Sequence, residues 1–582
     1  MRYSRPLFLV IILLVIFDLQ AQTVNYISPK PGSEYNNENT SIIIGYRNSS
    51  KVNTSKPHNL EVKGSLSGIH SGKIISVQGN RVIFRPDKPF ALGEKVTVKG
   101  IENTEGFSFN IRNSRVNSKF NIEDEIGFVN RERNISNFDH ITDSLPQFAI
   151  FQNGPTADGY LFLINYEWSG PAVPSYLMIL KNTGEPVFSR SLPGIGRDFK
   201  KQQNNLLTYY DDTKSIFLGL DYNYTVVDSF YCGNGYSTDT HELQVMPDGS
   251  AWVMGYDPEI IDMSHIVPGG DPHAIVTGLI IQKIDTDKNV IFQWRSWDYI
   301  PITDATHENL TAATIDYIHG NAIEVCPDGN IMISGRHTDE ITKINTATGD
   351  IIWRLGGKEN QFTFLNDPIG FSHQHSIRRI SEKNIILFDN GNYHSPPFSR
   401  AVEYSLDENN NTATLIWQFR HSPDIITSAM GSVQRFSNGN TLIGWGSAFT
   451  AALTEVTPEG TVVYELSLPP GEVSYRAFRF GLDNLTYAGK NNNIPDYYDL
   501  KQNYPNPFNP VTNIKFDIPK STYTNLSIYD ITGRKIDEII DKFLSKGEYT
   551  QKWDGTNFSS GIYFYKLTTD DFSSTKKMVL IK

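Results

Sequence analysis

Ten of the thirteen histidines lie between residues 241 and 421 of this 582-residue chain. Histidine is the side chain whose proton moves near neutral pH, so such a cluster points to acid–base or nucleophilic chemistry. Four segments carry it: Asp239-Thr-His241, Asp316-Tyr-Ile-His319-Gly-Asn321, Gly335-Arg336-His337 and His373-Gln-His375. His241, His319 and His375 precede Asp248, Asp328 and Lys383 by seven, nine and eight residues, and each of those residues opens a turn and a short apolar strand. Equal placement in repeated units predicts three imidazoles at one end of one channel. Arg336 adds a planar fork suited to two oxygens of an anion, with a pairing to Glu324 as the bland alternative. A lone histidine at a strand start is more often structural, and His337, His373 and His394 stay open between supporting and loop roles. Cys232 and Cys326 are the only cysteines. They give no CxxC zinc spacing and no disulfide scaffold, and a single bridge between them is left open. The Asp-Gly turns lack calcium-loop spacing. Neither a metal nor a cofactor is therefore expected.

The elements that must position these residues repeat. Asp158-Gly, Lys214-Ser, Asp248-Gly, Asp328-Gly, Lys383-Asn and Asn438-Gly each lead into a short apolar strand. Each is followed by a second strand, such as Gly349-Asp-Ile-Ile-Trp-Arg or Thr414-Leu-Ile-Trp-Gln-Phe. Glycine and asparagine supply the positive φ of tight hairpin turns cheaply. One small sheet cannot bury both its faces, so sheets of this kind stack around an axis. Six such pairs predict an all-β chain built on a six-bladed β-propeller over 145–487. Trp353 and Trp417 are read as blade core.

A net charge of -12 argues against a nucleic-acid surface, which needs a basic face, and against anchoring on anionic lipid. Arg2 and Arg5 precede the apolar run Pro6–Phe17, the pattern of a signal peptide over 1–22. No later run is apolar enough to span a bilayer, so no transmembrane segment is expected after cleavage. Short alternating strands predict an immunoglobulin-like β domain over 23–115, with turns at 53–57 and 86–89, and a linker over 116–144. A second linker, 488–498, leads to a small β-sandwich over 499–582.

That last segment opens with Gln502-Asn-Tyr-Pro-Asn-Pro-Phe-Asn-Pro510. It continues through Gly533-Arg-Lys and Trp553-Asp-Gly to Ser560-Gly-Ile-Tyr-Phe-Tyr-Lys566 and Lys577-Met-Val-Leu-Ile-Lys582. It resembles the C-terminal sorting domain of the type IX secretion system of Bacteroidetes-type bacteria. The resemblance implies that the secretion machinery is a partner and that the protein is secreted or held at the cell surface.

A second resemblance covers roughly 235–480. His319-Gly-Asn321, Arg336-His337, Trp353-Arg-Leu-Gly-Gly357, Gln374-His375, Phe388-Asp-Asn-Gly391, Ser399-Arg-Ala-Val-Glu-Tyr404 and Tyr475-Arg-Ala477 look like the bacterial arylsulfate sulfotransferases. Members of that family are six-bladed propellers that move a sulfuryl group from a phenolic sulfate ester to another phenol, ping-pong through a sulfated histidine and without a nucleotide donor. By motif, His375 matches the sulfated histidine, His241 and His319 its partner histidines, Asn321 a nearby polar group and Arg336 the anion clamp. The chemistry agrees with those residue types. A neutral imidazole is a sensible attacker on an anionic ester, and positioned cations stabilise charge spread over the nonbridging oxygens. Two departures stand out: the family's close-spaced cysteine pair is missing, and Val473-Ser474 stands where a polar residue is expected ahead of Tyr475. The alternatives from the sequence are a surface propeller that only binds carbohydrate or protein, and an aryl sulfate hydrolase using the same site.

Overall fold

The computed structural model describes residues 24–47, 60–77, 80–101, 104–116, 145–168, 173–482, 498–519, 522–544, 547–569 and 571–582. The expected signal peptide, the turn at 53–57 and all but one residue of each expected linker lie outside them.

Strands sandwiched on both faces must be apolar along their whole length, whereas strands at a rim alternate. Ser175–Leu180 is buried at every position, while Pro186–Leu192, its outer neighbour, is buried at none. The same gradient from axis to rim organises six sheets between 145 and 482, each built on four antiparallel strands, with a fifth strand added in four of them. Their innermost strands are Ala477–Phe480, Gly196–Lys201, Ser237–Val245, Gly320–Val325, His375–Arg379 and Ser432–Arg435. Each touches the next in that order, and the last touches the first, so the sheets close a ring. The propeller is locked twice. Ala477–Phe480 returns from the C-terminal side to pair with Tyr160–Leu163, and Ala149–Gln152 comes from the N-terminal side to extend the edge strand Val462–Ser467.

The turns form as their residue types dictate: Gly249 and Gly329 have φ of +80° and +79°. One repeat was misread. The strand Ile216–Leu220, which the Lys214 turn opens, is the third of its sheet; the second is Leu207–Asp211. Its turn uses Asn205, with φ of +68°, where the pattern calls for Asp-Gly or Asn-Gly, so it escaped notice. Trp353 is blade core, whereas Trp417 is only partly buried, donating its indole N–H to Pro458 O. Cys232 and Cys326 are both buried and free, in separate apolar clusters.

The N-terminal residues form two four-stranded sheets over one core. They dock on the third blade, where Tyr26 Oη donates to Gln293 O (2.7 Å) and Arg295 reaches Glu34 O, Asn36 Oδ1 and Tyr35 O. The C-terminal residues form a three-stranded and a four-stranded sheet sharing another core. Among the described residues no helix is long and apolar enough to cross a membrane.

The N-terminal contact buries an excess of acid. Glu259 meets Arg112 at 3.5 Å, and Arg112 also serves Glu38. Burial, reinforced by the Asp257 charge and opposed by Arg112, pushes the Glu259 carboxyl up to about 8. A carboxyl raised in the folded state stabilises most below its ordinary value, and that contribution is lost as pH rises through the folded one. Between pH 4.5 and about 8, unfolding free energy should therefore fall more steeply in the wild type than in Glu259→Gln. Denaturation of both proteins across that range checks this, and identical slopes would contradict it.

Candidate active site

Residues from four of the six blades meet at one buried carboxylate. Glu242 contacts Lys200, and its Oε2 lies 2.7 Å from Arg378 Nη2 and 3.0 Å from Arg476 Nη1. Lys200 and Arg476 share a second acid, Asp198, at 2.7 and 2.8 Å. Arg476 Nη2 also donates to Asn321 O (2.6 Å). Burial alone would raise the Glu242 carboxyl, but Arg378, Arg476 and Lys200 hold it well below the usual range. Three cations thus surround two anions at the axis, with Glu324 beside Arg378 as a further acid. Glu242, Arg378 and Arg476 stand beside motif residues singled out from the sequence, but none of these charges was itself given a role. No local pattern marks them as neighbours.

The residue before Glu242 is His241, whose Nδ1 lies 2.6 Å from Asp239 Oδ1. His319 repeats the arrangement, with Nδ1 2.7 Å from Asp316 Oδ2. In each pair the carboxylate accepts from Nδ1–H, which fixes the ring as in an oriented acid–base histidine. The two rings are 4.9 Å apart. A row of rings continues from them. His337 stands 4.6 Å from His319, His373 stands 5.7 Å from His337, and Tyr393 stands 4.8 Å from His373.

Asp316 sets a second tautomer through its backbone. Its carbonyl lies 2.5 Å from His337 Nδ1, so that nitrogen carries the proton. His337 Nε2 then accepts from Arg336 Nη1 at 2.6 Å. Burial, with the charges of His319 and Arg336, lowers His337 to about 3, so it stays neutral. His337 thereby aims Arg336, whose Nη2 donates to Ser428 O (3.0 Å). Among the described residues the buried Arg336 Nε has no hydrogen-bond partner. Glu324 does not pair with Arg336. It lies by Arg378 and Arg379, and burial lifts it to about 7 against the pull of Arg378. His394 bonds Asp389 (2.8 Å) in a buried network with Arg400.

His375 begins the innermost strand of the fifth blade and is fully buried. Its Nδ1 faces two acceptors, His373 O at 3.1 Å and Asn390 Oδ1 at 2.7 Å. Asn390 spends both amide hydrogens on Thr427 Oγ1 and Met430 O, so its Oδ1 can only accept. His375 Nε2 in turn accepts from Met430 N–H (3.2 Å). Acceptors on one nitrogen and a donor on the other fix the neutral Nδ1–H tautomer, with the lone pair on Nε2. Asn321 Nδ2 secures the preceding peptide at Gln374 O (2.8 Å). His319, His373, Ser376 and Met430 all have φ between +49° and +65°, a region disfavoured for side chains with a Cβ and typical of functional sites.

The structure thus brings His241 and His319 into ring contact and puts Arg336 beside His337. It ties His375 to the same loops through Asn321 and the 428–430 segment. Asp239, Asp316 and Asn390 were not identified as functional from the sequence, which leaves His337 open between a supporting and a loop role. An Asp two or three residues before each histidine was the signal for the first two. Asp316, His319 and His337 also bring three ligand-type atoms within 4.8 Å of one another. Arg336, within hydrogen-bond distance of His337, opposes a cation there.

Residues 220–468 match the arylsulfotransferase (ASST) family model, and residues 502–582 match the secretion system C-terminal sorting domain. No curated protein matches the chain. Similar solved structures include a protein of unknown function from Bacteroides caccae, at 13% identity over 55% of this chain and 98% of that one, TM-score 0.34. An inactive virginiamycin B lyase from Staphylococcus aureus matches at 8% over 64% and 96%, TM-score 0.30. A quinonprotein alcohol dehydrogenase-like protein from Bacteroides thetaiotaomicron matches at 9% over 79% and 99%, TM-score 0.28.

If Asn390 dictates the tautomer, nitrogen-15 shifts of His375 should report Nδ1–H in the wild type. Asn390→Leu should add a population with the proton on Nε2; an unchanged spectrum would remove Asn390 from this role.

Proposed function

We propose that this secreted or cell-surface chain moves a sulfuryl group between phenols through His375, a reading supported by the match of residues 220–468 to the arylsulfotransferase family model and of residues 502–582 to the sorting-domain model. The single observation that carries this reading is the bonding of the His375 ring: a neutral imidazole with its lone pair on Nε2, held beside loops that also seat a guanidinium.

In the first half-reaction Nε2 gives up its hydrogen bond from Met430 N–H and attacks the sulfur of an aryl sulfate. The Nε2–S bond forms, the bond from sulfur to the phenolic oxygen breaks, and the electron pair leaves with that oxygen. Nδ1 keeps its proton, and Asn390 Oδ1 accepts from it as the ring becomes cationic. Arg336 meets the nonbridging oxygens, where charge spreads during transfer. The leaving phenolate, with an ordinary pKa of about 10, takes a proton from Nε2 of His241 or His319. Asp239 and Asp316 stabilise the imidazolium that supplies it. A second phenol returns its proton to that histidine, attacks sulfur and releases Nε2. The donor is the aryl ester itself, so no nucleotide sulfate is required.

Incubation with 4-nitrophenyl sulfate and intact-mass measurement should show one sulfuryl adduct on the wild type and none on His375→Ala. Equal turnover by both proteins would remove the nucleophile. The acid role has its own signature. His319→Ala should lose about 100-fold or more with unactivated phenyl sulfate and far less with the 4-nitrophenyl ester, whose leaving group needs little protonation. Equal losses on both esters would assign His319 to structure instead.

A further inference from the structure

A second buried arginine lies in the second blade. Arg197, in the innermost strand of the second blade, is only 8% exposed. Its guanidinium makes no hydrogen bond and no ion pair among the described residues, and its Nη1 is buried without a partner. Its guanidinium carbon stands 5.7 Å from the ring centroid of Tyr166. The acids close to it in the chain and at the site are committed elsewhere. Asp198 is held by Lys200 and Arg476, and Asp239 bonds the ring and the backbone N–H of His241. Burying a guanidinium nitrogen without a partner is costly unless something anionic completes it. Arg336 differs, because His337 and Ser428 already orient it.

The surroundings say what that anion is attached to. Tyr166, Trp168, Met430 and Tyr475 form one buried apolar cluster, against which Ile195 packs from the start of the Arg197 strand. Met430 connects this cluster to the nucleophile, because its N–H donates to His375 Nε2 and its sulfur lies 2.7 Å from Tyr166 Oη. Tyr475 connects it to the candidate acid, its ring 5.7 Å from that of His241. Passing outward from His375, the chain of contacts is Met430, then Tyr166, then Arg197. On the sulfuryl-transfer reading, an aryl ester at His375 would lay its ring along this chain of contacts toward Arg197.

We infer that Arg197 recognises an anionic substituent on the aromatic ring of the substrate, so that the preferred phenols carry a carboxylate or sulfonate remote from the reacting oxygen. This rests on the sulfuryl-transfer reading for the placing of the ring. It assigns Arg197 to substrate selection and leaves the sulfuryl group itself to Arg336. A planar carboxylate can take two parallel N–H donors from the guanidinium, whereas a sulfonate offers a tetrahedral set, so the two probes separate those chemistries.

The test is calorimetric binding of 4-hydroxybenzoate, 4-hydroxybenzenesulfonate and the neutral 4-hydroxybenzamide to the full chain, in wild type, Arg197→Gln and Arg197→Lys. The wild type should bind at least one anion about tenfold or more tightly than the amide, the scale of a buried charge-assisted pair. Arg197→Gln should erase that preference, and Arg197→Lys should keep part of it. A wild-type preference below about twofold overturns the inference without any variant, so a folding defect in Arg197→Gln cannot shelter it. A preference that survives in Arg197→Gln overturns it equally. Turnover of phenyl sulfate by the wild type is measured alongside. Turnover without anion preference defeats the role of Arg197 alone. Anion preference without turnover defeats the sulfuryl-transfer reading and leaves Arg197 as an anion subsite for aromatic ligands.

Discussion

Glu242 sits at the axis of the propeller with no exposure to solvent and cations from three other blades around it. A carboxylate there is tolerable only because Lys200, Arg378 and Arg476 all reach it. Removing one partner of such a buried set leaves an uncompensated charge and is costly. The same interactions fix where the chemistry stands. Glu242 follows His241 directly, Arg476 follows Tyr475 and holds the backbone of Asn321, and Arg378 lies three residues beyond His375. Registering the inner strands against one charge therefore registers the site residues against one another.

Beside that charge set the site is organised by tautomers rather than by net charge. Asp316 bonds His319 with its carboxylate and His337 with its carbonyl. Asp239 bonds His241, and Asn390 bonds His375 through an oxygen that its own amide commitments force to accept. Five histidines stand near one another, yet burial and neighbouring cations keep His337 and His373 neutral, so repulsion between them is small. In the proposed reading the rings divide into nucleophile, proton carriers and a prop for Arg336 because each has a different second partner.

The flanking units bear on the site only through the rigidity of the ring. The propeller is clasped by one strand from each end of its own chain, so neither flanking unit closes it. The N-terminal unit packs its Tyr26, Ile43 and Ile83 into the apolar cluster of the third blade, which carries His241. The sorting domain keeps a separate core, as suits a module that addresses the chain to the outside.

Much of this was legible in the sequence. Turn residues and apolar strands spaced by about one sheet announce stacked β-sheets, because positive φ and alternating burial are local demands. The motifs around His319, Arg336, His375 and the C-terminus are local too, and they carried the family and the sorting domain. The repeat failed at Leu207–Asp211, where an asparagine replaced the expected glycine turn. Only the tertiary structure could pair Glu242 with Arg378 and Arg476, more than a hundred residues away, or set Arg197 beside Tyr166 without a partner for its charge. Hydrogen-bond geometry alone decided which nitrogen of each histidine holds the proton. The physical reason is range: backbone preference acts over a few residues and so is written along the chain, whereas charge compensation and tautomer choice depend on atoms that meet only when the ring closes.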